Sequence, residues 1–165
     1  MATTINETLT YPGATVAQVA ALATDPDFRA AVASYQHALR SEVTVTPAGN
    51  GQHVRFEYAH GTDRVPSFAK KLVGDEIPII QEESWTTPTH ADLVVTIPGK
   101  PGDMKGTADI EQRGDDVVQV VKLTIKVSIP LLGGKIEDLI AGLLSKAMRA
   151  ENKVGIKWLA GEWQS

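Results

Sequence analysis

Residues 117–144, VVQVVKLTIKVSIPLLGGKIEDLIAGLL, decide the fold of this chain. From Val117 to Ile129 apolar and polar residues alternate, which is typical of a strand with one buried face. Pro130 and the pair Gly133-Gly134 then end the strand, and an amphipathic stretch that reaches Trp163 begins. The sequence therefore predicts a strand that passes directly into a long C-terminal helix.

The predicted C-terminal helix has one apolar side, which can cover a sheet. This stripe consists of Ile136, Ile140, Leu143, Ala147, Val154 and Trp158. Glu137 and Asp138 lie in the first turn, and Lys153 and Lys157 lie near the other end. Both charge placements complement the helix macrodipole, so the helix assignment has support that is independent of hydrophobicity.

Composition limits the kind of protein this can be. The 165 residues are 42% hydrophobic, which suits one globular domain over residues 1–165. Sixteen Lys and Arg against twenty Asp and Glu give a net charge of -4, so no basic excess is available for nucleic acid. There is no cysteine, which removes disulfide and thiolate chemistry. With no secretory signal and no apolar run of about 20 residues, we expect a cytoplasmic protein.

The remainder of the chain predicts an antiparallel sheet with short helices. A first strand, Thr4–Tyr11, precedes two short helices that Thr15 and Asp25 can cap. A further short amphipathic helix lies between Gly61 and Asp75. The other strands are predicted at Leu39–Thr46, His53–Tyr58, Ile77–Trp85, His90–Ile97, Met104–Gln112 and Val117–Ile129. The fold class is therefore α+β, with seven strands.

This order of elements resembles the helix-grip fold of the START-like (SRPBCC) superfamily. The resemblance is carried by the segments VPSFAKKL at 65–72, ESW at 83–85, MKGT at 104–107 and IPLLGGKIE at 129–137. Within the superfamily these segments are similar to those of an actinobacterial family of unknown function, family 2505. The resemblance implies a curved seven-stranded antiparallel sheet wrapped around the long C-terminal helix. It also implies an extra short helix between strands 3 and 4.

The superfamily includes lipid-transfer domains, polyketide cyclases and birch-pollen-allergen-type proteins, so the fold does not decide between binding, transfer and catalysis. We expect binding or transport of a hydrophobic or amphipathic small molecule, lipid or polyketide-like, in an internal cavity. A cyclase or aromatase-like enzyme and a protein-interaction module are the alternatives. No catalytic motif of the family can be carried over to particular residues of this chain.

The dry faces of the sheet and of the helix supply the candidate binding site. Its predicted ligand-binding residues are Val43, Val54, Phe56, Tyr58, Phe68, Leu72, Glu83, Trp85, Met104, Gly106, Ala108, Ile110, Leu123, Ile125, Ile140, Leu143 and Ala147. Gly106 and Ala108 remove side-chain volume from a dry face, either to leave room for a ligand or to admit a neighbouring ring. Tyr58 and Trp85 are either polar anchors in an apolar pocket or ordinary core residues.

Glu83 is the ionisable residue of most interest. It lies two residues before Trp85 in a predicted strand, so regular alternation places both side chains on the same face. If Trp85 points inward, the Glu83 carboxyl group lies in the interior, where it could serve as a general acid. A break in the alternation at Pro78 would instead leave it in solvent, which is the ordinary location of a carboxylate. In an enzyme of cyclase type, Glu83 or Tyr58 would be the acid or base.

Cofactors, metals and membranes receive little support from the sequence. The histidines, His37, His53, His60 and His90, lack the spacing of paired metal ligands, and we expect no metal and no cofactor. Gly133-Gly134-Lys135 is not a phosphate loop, because Ile136 stands where Ser or Thr is required. A basic stripe, Lys146, Arg149, Lys153 and Lys157, is either a solvated helix face or a contact with anionic lipid, so membrane contact would be at most peripheral.

Overall fold

The computed structural model of the protein describes residues 2–164 and contains one seven-stranded sheet. The elements are β1 (Thr3–Pro12), α1 (Val16–Ala23), α2 (Pro26–Tyr35), β2 (Arg40–Ala48), β3 (Gly51–Gly61), α3 (Ser67–Val73), β4 (Glu76–Thr87), β5 (His90–Thr96), β6 (Asp103–Arg113), β7 (Asp116–Lys126) and α4 (Gly133–Leu159). The strands lie in the order β1-β7-β6-β5-β4-β3-β2, and every neighbouring pair is antiparallel. This confirms the predicted α+β helix-grip architecture.

Alternation along the strands gives the sheet one buried and one solvated face. In β3, Val54, Phe56 and Tyr58 are buried. Between them, Arg55 and Glu57 point to the other face, where their side chains pair at 2.9 Å. Because side chains alternate with a period of two, each strand supplies an apolar row to the side that α4 covers.

Helices α1 and α2 carry the chain from β1 to β2, which are the two edges of the sheet. Thr15 and Gln18 form a capping box at the start of α1, with hydrogen bonds of 3.1 and 2.9 Å. Asp25 caps α2 by accepting a hydrogen bond from the backbone N–H of Phe28 at 3.2 Å. The ring of Phe28 then packs edge-on against Trp158 of α4, 5.7 Å between centroids. Thus α2 is fixed against the C-terminal helix.

Helix α4 comprises 27 residues, about 40 Å, and lies across the buried face of the sheet. Gly155 permits a close approach to β1, because a Cβ atom there would lie 2.8 Å from the ring of Tyr11. Neither α4 nor any other helix within residues 2–164 combines the length and apolarity needed to cross a bilayer.

The connection from β7 to α4 differs in its bounds from the prediction. Strand β7 ends at Lys126 rather than Ile129, and the backbone N–H of Val127 donates to the Glu137 carboxylate at 3.0 Å instead of to a strand. Helix α4 ends at Leu159, so Trp163 lies beyond it, packed edge-on against Tyr35 at 5.7 Å. The Glu137 carboxylate, near the start of α4, therefore accepts the hydrogen bond of the first backbone N–H group beyond the end of β7.

Candidate functional site

An apolar cavity of about 320 Å³, here called the outer cavity, lies between α3, the sheet and the first half of α4. It is lined by Val65, Ala69, Leu72, Val73, Ile77, Ile79, Val95, Ile97, Gly99, Lys100, Pro101, Met104, Val127, Ile129, Ile136, Leu139, Ile140, Leu143 and Leu144. Among these described residues Lys100 alone is charged. Leu143 is 40% exposed, so the cavity reaches the surface beside α4. Its volume falls within the range of small-molecule sites, about 300–1,000 Å³.

A second, smaller cavity of about 40 Å³, here called the inner cavity, lies further along α4. It is lined by Arg29, Val32, Gln36, Phe56, Tyr58, Gln81, Glu83, Leu93, Val95, Ala108, Gln119, Val121, Leu123, Leu144, Ala147, Met148 and Glu151. Val95 and Leu144 line both cavities, so the two share a wall. The lining of the outer cavity is almost entirely apolar, whereas that of the inner cavity combines apolar residues with charged and amide side chains.

Arg29 and Glu83 form a buried ion pair at the inner cavity, with Nη2 and Oε1 2.6 Å apart and side chains 2% and 4% exposed. Glu83 has two further donors, because Oε1 also accepts from the Trp85 indole at 2.9 Å and Oε2 accepts from the Gln81 amide at 2.6 Å. Arg29 Nε donates in turn to the carbonyl oxygen of Ala23, at the end of α1, at 3.1 Å. A charge this deeply buried is tolerated because it is paired and hydrogen-bonded.

Glu151 of α4 adds a second carboxylate to this pair. Its Oε1 lies 3.2 Å from Arg29 Nη1, and its side chain is 16% exposed. Burial raises the pKa of Glu151, Arg29 lowers it, and the nearby Glu83 raises it again, with a net shift upward. We refer to Arg29, Glu83 and Glu151 as the polar cluster. One positive and two negative groups give it a formal charge of -1 when both carboxylates are ionised.

Tyr58 faces the inner cavity from β3. Burial raises the pKa of its hydroxyl well above the usual range, with Glu151 adding to the effect, so the group stays protonated at neutral pH. It can therefore donate a hydrogen bond but is not available as a base. Gln119 lines the same cavity from β7.

The predicted ligand-binding residues divide between the two cavities and the packed core. Those lining the outer cavity are Leu72, Met104, Ile140 and Leu143. Those lining the inner cavity are Phe56, Tyr58, Glu83, Ala108, Leu123 and Ala147. Those lining neither are Val43, Val54, Phe68, Trp85, Gly106, Ile110 and Ile125. Several of this last group, such as Val54 and Ile125, are fully buried core residues, and contact of any of these residues with a ligand stays a prediction.

Gly106 is small for a reason other than the one expected. A Cβ atom at this position would overlap the backbone carbonyl of Lys122 on the adjacent strand β7. The glycine permits close approach of two strands, so neither a ligand nor a neighbouring ring accounts for it. Ala108, in contrast, does line the inner cavity.

Glu83 lies inside, as regular alternation through Pro78 predicts, since it is 3% exposed. It is not the isolated carboxyl group in an apolar pocket that a general acid requires, because Arg29 and two other donors engage it. Arg29 and Glu151 were not among the site residues predicted from the sequence. Both interrupt apolar stripes: Arg29 lies on the buried side of α2, and Glu151 lies four residues after Ala147 and three before Val154. A charged residue within an apolar stripe was the feature of the sequence that could have indicated these two buried side chains.

The basic stripe of α4 is partly engaged within the chain. Arg149 donates to Glu7 of β1 at 3.0 Å, and Lys153 lies over the ring of Tyr35 at 5.7 Å. Among the described residues, no group of three or more His, Asp or Glu has the arrangement of a metal site.

A curved antiparallel sheet gripping a long C-terminal helix, with a cavity between them, defines a START-like helix-grip protein. Within that class the chain belongs to the family described as protein of unknown function (DUF2505), whose family model matches residues 6–159. A search of curated protein sequences gives no match.

Solved structures share the fold at low identity. The TTHA0849 protein from Thermus thermophilus is 19% identical, with a TM-score of 0.66 over 98% of this chain and 100% of that one. The Zhui aromatase/cyclase from a Streptomyces species is 11% identical, with a TM-score of 0.65 over 94% and 92% of the two chains. A START superfamily protein from Mycobacterium smegmatis is 14% identical, with a TM-score of 0.60 over 92% and 96%. At these identities the likeness shows the fold alone.

Proposed function

We propose that this protein binds a hydrophobic or amphipathic small molecule, lipid or polyketide-like, in the outer cavity. The observation that carries the proposal is an apolar space of about 320 Å³ in which Lys100 is the one charged lining residue among those described. Protein interiors are normally close packed, so an apolar space of this size is a departure that an apolar ligand would fill.

The rim of the cavity supports the same conclusion. Helix α3 has seven residues and no side-chain cap, and contributes Ala69, Leu72 and Val73 to the lining. A short uncapped helix has little stability of its own, so it can move aside to admit a ligand at low cost. Aromatase/cyclase and START superfamily proteins among the structural neighbours have the same fold.

Binding of the neutral dye Nile red, followed by its fluorescence, tests the proposal. We expect saturable binding, and displacement by straight-chain alcohols whose affinity rises about threefold to fourfold per methylene until the cavity is full. Ala69→Phe should fill the cavity from α3 and weaken dye binding by at least about tenfold.

Ser67→Phe is the matched control, because it adds the same ring to the same helix at an exposed position that does not line the cavity. It should leave dye binding unchanged. Absence of saturable binding by the wild type, or equal binding by the Ala69→Phe and Ser67→Phe variants, would refute the proposal.

Catalysis of the cyclase type receives less support from the geometry. The two acid–base candidates are Glu83, whose oxygens already accept from three donors, and Tyr58, whose raised pKa makes it a weak acid and keeps it from acting as a base at neutral pH. A binding protein needs neither group to be free.

A further inference from the structure

We infer that the inner cavity selects the polar end of the ligand by charge: it accepts an uncharged hydroxyl group and rejects a carboxylate. This inference rests on the proposed function, since the ligand's apolar part would occupy the outer cavity. It adds the chemical class of the ligand, a neutral amphiphile with a terminal hydroxyl rather than a fatty acid.

The charges at the inner cavity exclude an anion. Arg29 is the single positive group among the described lining residues, and its guanidinium is shared between Glu83 and Glu151. The other polar lining residues are neutral. A ligand carboxylate would therefore meet two carboxylates and one arginine that is already paired, in a space where repulsion is poorly screened.

The hydrogen-bonding groups at the inner cavity suit a hydroxyl. Tyr58 offers a donor, and Gln119 offers a donor and an acceptor. Gln119 is 8% exposed and Tyr58 5%, so both are removed from bulk water. A hydroxyl group both donates and accepts, and could satisfy such a set without adding charge.

The position of the inner cavity suits a terminal group rather than a whole ligand. At about 40 Å³ it can hold a water molecule or a group of similar size, because one water needs roughly 10–15 Å³ by the same measure. It shares Val95 and Leu144 with the outer cavity, so a displacement of the Leu144 side chain would connect the two.

Displacement of Nile red by n-octanol and by n-octanoate, at about pH 8 where the free acid is ionised, tests the inference. These probes have equal chain length and differ in the charge of the terminal group. We expect n-octanol to bind at least about tenfold more tightly than n-octanoate to the wild type. Glu151→Gln removes one negative charge and should improve n-octanoate binding about tenfold while changing n-octanol binding less than about threefold.

Glu162→Gln is the matched control, because it makes the same charge change at an exposed position beyond the end of α4. It should leave the ratio of the two affinities unchanged. Gln119→Leu, as a second variant, should weaken n-octanol binding about threefold to tenfold through loss of a hydrogen bond.

Equal affinity of n-octanol and n-octanoate for the wild type would overturn the charge selection. A preference that persists unchanged in Glu151→Gln would also overturn it, since the preference would then arise elsewhere. Both results leave the proposed function standing as long as Nile red binds to the wild type and Ala69→Phe weakens that binding. Loss of the proposed function itself would show as absent dye binding in every variant.

Discussion

Arg29 connects four parts of the molecule through one side chain. From α2 it donates to the end of α1 at Ala23, pairs with Glu83 of β4 and contacts Glu151 of α4. A buried ion pair is not in itself a source of stability, because removal of two charges from water costs several kcal/mol per ion. Removal of one partner is a different matter, since it leaves the remaining charges buried without compensation.

We therefore expect Arg29→Met to lower the free energy of unfolding by about 3–5 kcal/mol, as measured by urea denaturation. Methionine fills a similar volume, so the loss would arise mainly from Glu83 and Glu151 without their cation. Adding Glu83→Gln to Arg29→Met should recover part of the loss, because it removes one uncompensated charge.

Arg113→Met provides the comparison for this prediction. Arg113 pairs with Glu111 at the surface, where both side chains are about half exposed, and its loss should cost less than about 1 kcal/mol. If Arg29→Met costs no more than Arg113→Met, the polar cluster does not have the role assigned to it.

At the scale of the element, the connection between β7 and α4 depends on two adjacent glycines with different surroundings. A Cβ atom at Gly133 would lie 2.4 Å from the carbonyl oxygen of Val127, whereas one at Gly134 would have no atom within 4 Å. The backbone N–H of Gly133 also donates to Ile129 at 2.9 Å. Of the pair, Gly133 is therefore the residue that sets how closely the helix begins to the end of the strand.

We predict that Gly133→Ala destabilises the protein and that Gly134→Ala does not. Gly133→Ala should destabilise by about 1–3 kcal/mol, because helix and strand must separate to admit the methyl group. Gly134→Ala should be neutral or stabilise by up to about 1 kcal/mol, through the better helix propensity of alanine. Thermal unfolding of the two variants, compared with the wild type, measures both. Equal destabilisation by both variants would mean that packing against Val127 does not require glycine.

The elements themselves could be predicted from the sequence because the hydrophobic period is regular. Alternation from Val54 to Tyr58 identifies β3 and its buried face. The stripe from Ile136 to Trp158 identifies α4, but its member Leu143 is 40% exposed and the adjacent Leu144 is buried instead. The strand end at Lys126 could not be predicted, because the apolar pattern continues to Ile129 while the side chain of Glu137, ten residues further along the chain, accepts the hydrogen bond of the Val127 N–H. The local hydrophobic pattern does not indicate which side chain from another element will accept such a hydrogen bond.

The candidate site was less accessible to prediction for the same reason. Ion pairs such as Arg29 with Glu83 join residues 54 positions apart, and neither partner indicates the other in the sequence. Gly106 shows a second limit: its size is explained by the backbone of a neighbouring strand, which sequence alone does not place. Sequence patterns predict which faces are buried, but what each buried group meets depends on the assembled fold.

For the molecule as a whole, two buried or partly buried carboxylates of α4 act on stability in opposite directions as pH changes. Hydrogen bonding to the Val127 N–H lowers the pKa of Glu137, burial opposes this, and the Thr3 hydroxyl lowers it further. A lowered pKa in the folded state gives stability that is present above the ordinary carboxyl pKa and is lost as pH falls. The raised pKa of Glu151 gives the reverse: stability that is present at low pH and is lost as pH rises.

We therefore predict that Glu151→Gln is more stable than the wild type at about pH 8 and that this advantage disappears towards about pH 4. The unfolded chain releases the Glu151 proton at lower pH than the folded protein does, so the wild type loses stability as pH rises through that window, whereas glutamine has no proton to lose. Glu137→Gln is the control of opposite sign: its deficit relative to the wild type should be largest at neutral pH and should shrink as pH falls. Urea unfolding of the three proteins across this range measures the differences. A Glu151→Gln curve that runs parallel to that of the wild type at every pH would show that the carboxyl group in the polar cluster ionises as freely in the folded protein as in the unfolded chain.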